Sequence, residues 1–212
     1  MTRTDRRLVL ATGNPGKARE IAALLAPAGV TIVSQADFGI ASADETGATF
    51  IENAILKARH AAAGSGLPAI ADDSGLVVDA LGGEPGIRSA RYAGDAGDAA
   101  NIRKLLDALD GVPAERRGAR FVCIAVLLNH PADPLPLVCE GRWEGAIAAA
   151  PRGERGFGYD PVFIPRGQGR SAAELDPDEK NRLSHRGGAF GQLLALLRSE
   201  AGLAPSSGGG ES

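Results

Sequence analysis

Asp72 and Asp73 stand side by side at the end of the apolar run Pro68-Ala69-Ile70-Ala71, and the chain continues Ser74-Gly75-Leu76-Val77-Val78-Asp79-Ala80-Leu81. Adjacent ionised carboxylates repel, and both stay charged only beside a cation or in good solvent contact. With oxygen as the only donor, the cation that suits them is Mg²⁺ rather than zinc. An acidic turn between two strands is the ordinary alternative, so other segments have to decide. Thr12-Gly13-Asn14-Pro15-Gly16-Lys17 combines short polar side chains, glycines that let a backbone approach phosphate oxygens, and a lysine at a helix start. It is not a Walker A loop, because two residues rather than four separate its glycines and Ala18 follows the lysine.

The elements that position these residues follow from apolar spacing. Leu8-Val9-Leu10-Ala11 is a short buried strand, a helix with the face Ile21, Leu24 and Leu25 begins at about Lys17, and Val30-Thr31-Ile32-Val33 is a second strand. Thr49 and Glu52 have the spacing of a capping box for a helix that buries Ile51, Ala54, Ile55, Ala58 and Ala62. Asn53 and Lys57 lie one turn apart on another side of that helix, within reach of a shared polar cleft. Asp98 caps a helix carrying Ile102, Leu105, Leu106 and Leu109. Residues 119–128 and 135–149 form two long antiparallel strands across a Pro-rich turn, and Val162-Phe163-Ile164 forms a short one. Asp176-Pro177 starts a short helix, and Ser184 caps a final helix with the core face Phe190, Leu193, Leu194 and Leu197. Strand, loop, helix, strand at the front and paired strands behind make a mixed α/β protein.

The 212 residues, 44% of them hydrophobic and 23% charged, suffice for one core, so residues 1–200 are expected to form a single bilobed domain and residues 201–212 a disordered tail. A net charge of −3 argues against a nucleic acid polymer or an anionic membrane as partner, while small anions remain available to local Lys and Arg clusters. The charged N-terminus leads into an apolar stretch too short for a signal sequence or membrane span. Cys123 and Cys139 lack metal-type spacing and read as buried thiols, which points to the cytoplasm. His60 and His130 are expected to be structural or surface residues. Arg91 and Tyr92 are expected to support a cleft or a subunit contact.

Residues 12–17, the acidic block running on from Asp72 through Tyr92, Phe50-Ile51-Glu52-Asn53-Ala54 with Lys57-Ala58-Arg59-His60, Gly156-Phe157-Gly158-Tyr159-Asp160, and Glu179-Lys180-Asn181 with Ser184-His185-Arg186 occur in one chain. Together they resemble the inosine/xanthosine triphosphate pyrophosphatase family, in particular its bacterial dITP/XTP branch, over residues 8–197. The resemblance implies an elongated mixed β-sheet flanked by helices, two lobes around a nucleotide cleft, a homodimer and Mg²⁺ dependence. It implies hydrolysis of dITP, ITP, XTP and dXTP to the monophosphate and pyrophosphate, which keeps these nucleotides out of DNA and RNA. Carried over by position, Asp73 is the proton acceptor and a metal ligand, Ser74 a substrate contact, and Thr12, Gly13, Asn14, Pro15, Gly16 and Lys17 the phosphate loop. Phe157, Gly158, Tyr159 and Asp160 form the purine site with Lys180, His185 and Arg186. The second metal carboxylate falls at Asp44, where the bacterial pattern Glu-Glu-Thr-Gly has its first residue; the shorter side chain either ligates or hands the task to Glu45.

Lys180, His185 and Arg186 are donors for the O6 acceptor of hypoxanthine or xanthine, and Phe157 offers a flat face for stacking. A related pyrophosphatase acting on modified pyrimidine nucleotides is the alternative, and the final basic block speaks against it. A Ser-His-Asp hydrolase is disfavoured because Ser74 lacks the G-x-S-x-G elbow. A non-catalytic nucleotide-binding module would not need Asp73.

Overall fold

The computed structural model describes residues 6–200, so the expected tail at residues 201–212 lies outside the described residues, as do residues 1–5. Six strands, β1 (Arg7–Ala11), β2 (Thr31–Ser34), β3 (Ala69–Val78), β4 (Gly118–Leu128), β5 (Leu137–Ile147) and β6 (Phe163–Pro165), form one sheet in the order β2-β1-β3-β4-β5-β6. β1 is parallel to both β2 and β3, and every later pairing is antiparallel. This is the expected mixed α/β architecture, and the Pro-rich turn does join the two long antiparallel strands.

The chain leaves β1 toward β2 on one side and returns to β3 on the other. β1 pairs with β3 only as far as Ala11 opposite Ala71. From Asp72 to Ser74 β3 therefore runs past the carboxyl end of β1 without a strand on that edge, before Leu76 N–H donates to Ser89 Oγ at 2.9 Å and Val78 N–H to the Glu84 carbonyl at 3.2 Å. A crevice at such a reversal is where open α/β sheets bind ligands. Strand alternation does the rest. Asp72 points with Ile70 to the sheet face covered by helices α1 (Pro15–Leu25) and α5 (His185–Glu200), packed as a cluster with Ile21, Leu25, Phe190 and Leu193. Asp73 points with Ala69 and Ala71 to the opposite face, covered by α2 (Phe50–Ser65). A third cluster, built on Leu76, Phe121, Trp143 and Phe163, joins the far half of the sheet to α3 (Asp98–Ala108).

Three helix expectations change in detail. α1 starts at Pro15 rather than near Lys17, because the Asn14 side chain accepts the N–H groups of Gly16 and Lys17 at 2.8 and 3.0 Å and Pro15 has no N–H to satisfy. Ile51 is 40% exposed instead of buried: α2 lies on the sheet through Ala54, Ala58, Ala61 and Ala62, and its first turn opens onto a shallow groove beside Val77 and Val122. Asp98 is the first residue of α3 and makes no cap; Gly97 takes that place. The Thr49 cap is as expected, with Thr49 Oγ1 accepting Glu52 N–H at 3.3 Å and the Glu52 carboxylate accepting Ala48 N–H at 2.9 Å. Both cysteines are buried and free.

Candidate active site

On the α2 face, Lys57 places one ammonium between two carboxylates, 2.8 Å from Asp73 Oδ1 and 2.7 Å from Glu45 Oε1. Asn53, fully buried one turn before Lys57, accepts Gly47 N–H at 2.8 Å and sets its Nδ2 3.5 Å from Asp73 Oδ2. It thereby ties the acidic loop to the strand. Arg91 reaches Glu45 Oε2 at 3.0 Å, so it supports the cleft. The carboxylate that the fold brings to Asp73 is Glu45; Asp44 is exposed at the rim of the same cavity. Of the two alternatives, Asp44 or Glu45, Glu45 is the one drawn toward Asp73: consecutive loop residues point in different directions, and Lys57 and Arg91 capture the second.

Burial raises the Asp73 carboxyl above its ordinary value, against the pull of Lys57, and the Glu45 charge adds to the rise. For Glu45, burial also acts upward, but its bonds to Lys57 and Arg91 outweigh it and hold the group low. The two acids are therefore shifted in opposite directions while sharing one cation.

On the α1/α5 face, Asp72 is fully buried and meets Lys17 Nζ at 3.1 Å, Ser74 Oγ at 2.6 Å and Arg186 Nε at 3.8 Å. Burial alone would raise its pKa, yet Lys17, Arg186 and Lys57 hold it well below the carboxylate range. Ser74, expected as a substrate contact, donates to Asp72 and also lines the cavity.

The purine-side residues converge from three elements. Lys180, on the short helix α4 (Pro177–Leu183), bridges Asp160 Oδ2 at 2.7 Å and Glu20 Oε1 at 3.0 Å. Arg186 pairs with the other oxygen of Glu20. His185 stacks on Phe121 with centroids 4.8 Å apart and planes 10° from parallel. It gets there because Gly141 on β5 has no Cβ: one built there would lie 1.9 Å from the His185 carbonyl oxygen, so only glycine lets α5 descend onto the sheet. Burial, with Arg186 and Lys180 nearby, pushes the His185 pKa well below its ordinary value and keeps the ring neutral. Burial raises the Asp160 carboxyl, opposed by Lys180. The Phe157 ring lies under Lys180 Nζ at 4.8 Å and the Arg186 guanidinium at 5.6 Å. It also packs into the space left by Gly16, whose Cβ would come within 3.1 Å of the ring. The bare face of Gly16 thus admits Phe157, which links residues 12–17 to the loop at residues 156–160.

Two cavities meet at Asn14, Lys17 and Ala90. One holds Phe157, Lys180, His185 and Arg186, the other Thr12, Glu45 and Lys57. Glu45 and Lys57, the latter paired with Asp73, thus line one cavity and His185 the other. Three buried polar atoms in this region have no hydrogen-bond partner in the protein: Asp72 Oδ1, His185 Nδ1 and Arg186 Nε. Such atoms cost about 1–3 kcal/mol each when left so, and their clustering marks a place shaped for a polar ligand. Glu20 is the residue that sequence reasoning missed. It lies one position before Ile21 on an amphipathic helix, where a surface charge is the ordinary expectation, and the only signal is its place one turn after Gly16 and Lys17.

The Ham1 family profile matches residues 8–196. A dITP/XTP pyrophosphatase from Yersinia pseudotuberculosis is 61% identical over 193 residues, covering 91% of this chain and 98% of that one. The protein of the same name from Escherichia coli K12 is 58% identical with the same coverage. Among solved structures, a HAM1 protein from Coxiella burnetii superposes with a TM-score of 0.86 at 49% identity, covering 92% of this chain and 99% of that one. A nucleoside-triphosphatase / dITP/XTP pyrophosphatase from Mycobacterium abscessus gives a TM-score of 0.69 at 47% identity, covering 90% and 98%. By sequence over nearly its whole described length and by fold, the chain belongs to the Ham1 family, the inosine/xanthosine triphosphate pyrophosphatases.

Proposed function

We infer that the protein hydrolyses deaminated purine nucleoside triphosphates, dITP, ITP and XTP, to the nucleoside monophosphate and pyrophosphate. The observation that carries this reading is the single cleft with a carboxylate pair at one end and buried, partly unpartnered donors at the other. The activity named for the relatives supports it, and supports the purine over the modified pyrimidine alternative.

At the phosphate end, Lys17 and Lys57 supply positive charge, and the Asn14-capped start of α1 adds its dipole. Asp73, at the position of the family's proton acceptor, takes the proton of the attacking water. Mg²⁺ is part of the proposal. Among the described residues no group of three or more His, Cys, Asp or Glu side chains forms a metal cage. Asp73 and Glu45 nevertheless aim at one positive charge, and two carboxylates completed by substrate phosphates are the usual Mg²⁺ arrangement. When bound there, Mg²⁺ neutralises phosphate charge and makes phosphorus more electrophilic.

At the base end, Arg186 and Lys180 are donors, and neutral His185 presents one nitrogen of either kind. An O6 acceptor satisfies a donor that adenine's 6-amino group would leave unmet, at about 1–3 kcal/mol per group. A homodimer, implied by the family, and a cytoplasmic site of action, in keeping with two free buried thiols, complete the reading.

The test is a substrate panel of dITP, XTP, dGTP and dATP with and without Mg²⁺, with the released phosphate species identified and the assembly state followed by light scattering. Pyrophosphate from dITP and XTP, only with Mg²⁺, is expected. Equal turnover of all four nucleotides overturns the specificity, orthophosphate alone overturns the bond assignment, and full activity with chelator overturns the metal.

A further inference from the structure

The Asp98 carboxylate, freed from capping its own helix, accepts the N–H of Gly158 at 2.7 Å. Gly158 follows Phe157 directly, in the stretch that supplies Phe157 and Asp160 to the purine end. Gly153, Gly156 and Gly158 all have left-handed φ angles, of 81°, 76° and 60°. A segment so rich in glycine has little shape of its own and takes it from its tethers. Within the loop, Phe157 N–H donates to Asp160 at 2.9 Å. Tyr159 O–H donates to the Ser89 carbonyl at 2.9 Å, anchoring the far side. Among the described residues, Asp98 is the side chain from outside the loop that accepts a backbone N–H of residues 156–160. It is exposed, lines the same cavity as Phe157 and Lys180, and makes no contact with the carboxylates at the phosphate end.

We propose that Asp98 is a positioning residue for base recognition: by holding the peptide next to Phe157 it fixes the ring at the height where a purine stacks. α3, which supplies none of the residues expected in the site, thereby sets the geometry of the base pocket. The proposal rests on the purine reading above. It also separates Asp98 from an ordinary acidic residue at a helix start, whose contribution would be the same with or without the loop.

The experiment compares wild type, Asp98→Ala, Asp98→Asn and Asp98→Glu. Steady-state kinetics with dITP are run beside titration of IMP followed by the fluorescence of Trp143, the only tryptophan, whose ring lies 6.5 Å from that of His185. In Asp98→Ala, KM for dITP and Kd for IMP rise about tenfold, the equivalent of one charge-assisted hydrogen bond. Over the same change kcat moves less than about twofold, because the phosphate end is untouched. Asp98→Asn keeps an acceptor oxygen and recovers most of the affinity, which a loss of helix-end charge would not allow. Amide exchange at Gly158 rises about tenfold or more in Asp98→Ala and stays near wild type in Asp98→Asn.

Unchanged KM and Kd in Asp98→Ala, a loss confined to kcat, or an asparagine variant as weak as the alanine one overturns the proposal. If the alanine chain does not fold, Asp98→Glu decides: it keeps the charge at the start of α3 but displaces the oxygens by one methylene, so a raised KM supports the latch and a wild-type KM overturns it. Wild type that turns over dITP no better than dATP overturns the purine reading instead, and does so before any variant is compared.

Discussion

Asp72 and Asp73 share a strand and a charge, but alternation sends them to opposite faces of the sheet, and their surroundings are built on different plans. Asp73 lies toward a half-open loop, where Lys57 also serves Glu45, Arg91 is largely exposed and the cavity opens past Thr12 to solvent. Those partners can be exchanged for phosphates and a cation at modest cost. Asp72 is sealed between Lys17 and Arg186, and Arg186 and Lys180 in turn share Glu20. The charges of Asp72, Arg186, Glu20 and Lys180 are already compensated by protein and are costly to rearrange, whereas Lys17 is partly exposed and lines both cavities. The exchangeable side suits chemistry on a substrate that brings its own charge, while the closed side suits recognition of a neutral base by fixed donors. The two faces come together where β3 outruns β1 at Asp72 and Asp73.

The sharpest way to break this contrast is to neutralise each acid in turn. Asp73→Asn removes the proposed proton acceptor and a charge aimed at the proposed metal position. Turnover of dITP should fall by about 10³-fold or more, with KM changing far less and the melting temperature preserved. Pyrophosphate release under saturating dITP measures it. Activity within tenfold of wild type would mean that Glu45 takes the proton and that the two faces are not divided as described.

Asp72→Asn should act in the other currency. Arg186 and Lys17 lose a fully buried counter-charge, so the fold weakens by roughly 3–5 kcal/mol, and KM for dITP rises more than kcat falls. Urea unfolding and the kinetic split check both parts. A variant that lost turnover while keeping KM would place Asp72 in the chemistry and erase the distinction between the faces.

Much of this contrast was legible in the chain before folding, and the parts that were not share a cause. The acidic pair, the phosphate loop, Lys57 with Asn53 and the basic block at Lys180, His185 and Arg186 announce themselves because unusual residue types sit at element ends or at helical spacing. Strands and helices followed from apolar periodicity, with boundaries moved by local hydrogen bonds such as that of Asn14. Glu20 and Asp98 were invisible in their roles because each is an ordinary surface acid on an amphipathic helix whose partner lies far along the chain, Arg186 for one and Gly158 for the other. The choice between Asp44 and Glu45 was left open for a related reason: in an irregular loop no periodicity says which of two consecutive carboxylates turns inward, and it is the docked Lys57 and Arg91 that draw Glu45 in.

The closed side should also respond to pH, through His185. His185 is buried and neutral, with its pKa in the folded protein well below the 6.5 of the unfolded chain. Below about pH 6.5 the unfolded state binds a proton that the folded state refuses, so stability falls as pH falls, by up to about 1.4 kcal/mol per pH unit. Asp72 contributes nothing to that window, since its pKa is lowered from 3.8 and its loss begins only below that value. The raised Asp73 and Asp160 carboxyls work in the opposite sense, gaining protons on folding as pH drops. The His185 share is therefore read as the difference between wild type and His185→Gln, in which the carboxylate contributions cancel. The variant should lose part of the decline in melting temperature between pH 7 and pH 5; parallel curves would mean that the ring is charged in the fold.

The smallest effect belongs to the scaffold of the open side. Thr49 caps α2, the helix that carries Asn53 and Lys57 to Asp73. Thr49→Ala should cost about 1 kcal/mol of stability, as for other lost helix caps, seen as a lower urea midpoint at unchanged slope. Turnover should stay within about twofold, because Lys57 is fixed farther along the helix by its bonds to Glu45 and Asp73 and by the alanine face packed on β3. A tenfold loss of turnover from this one hydroxyl would show that the first turn of α2, not the ion pairs, sets the position of Lys57. The open side would then be as rigidly built as the closed one.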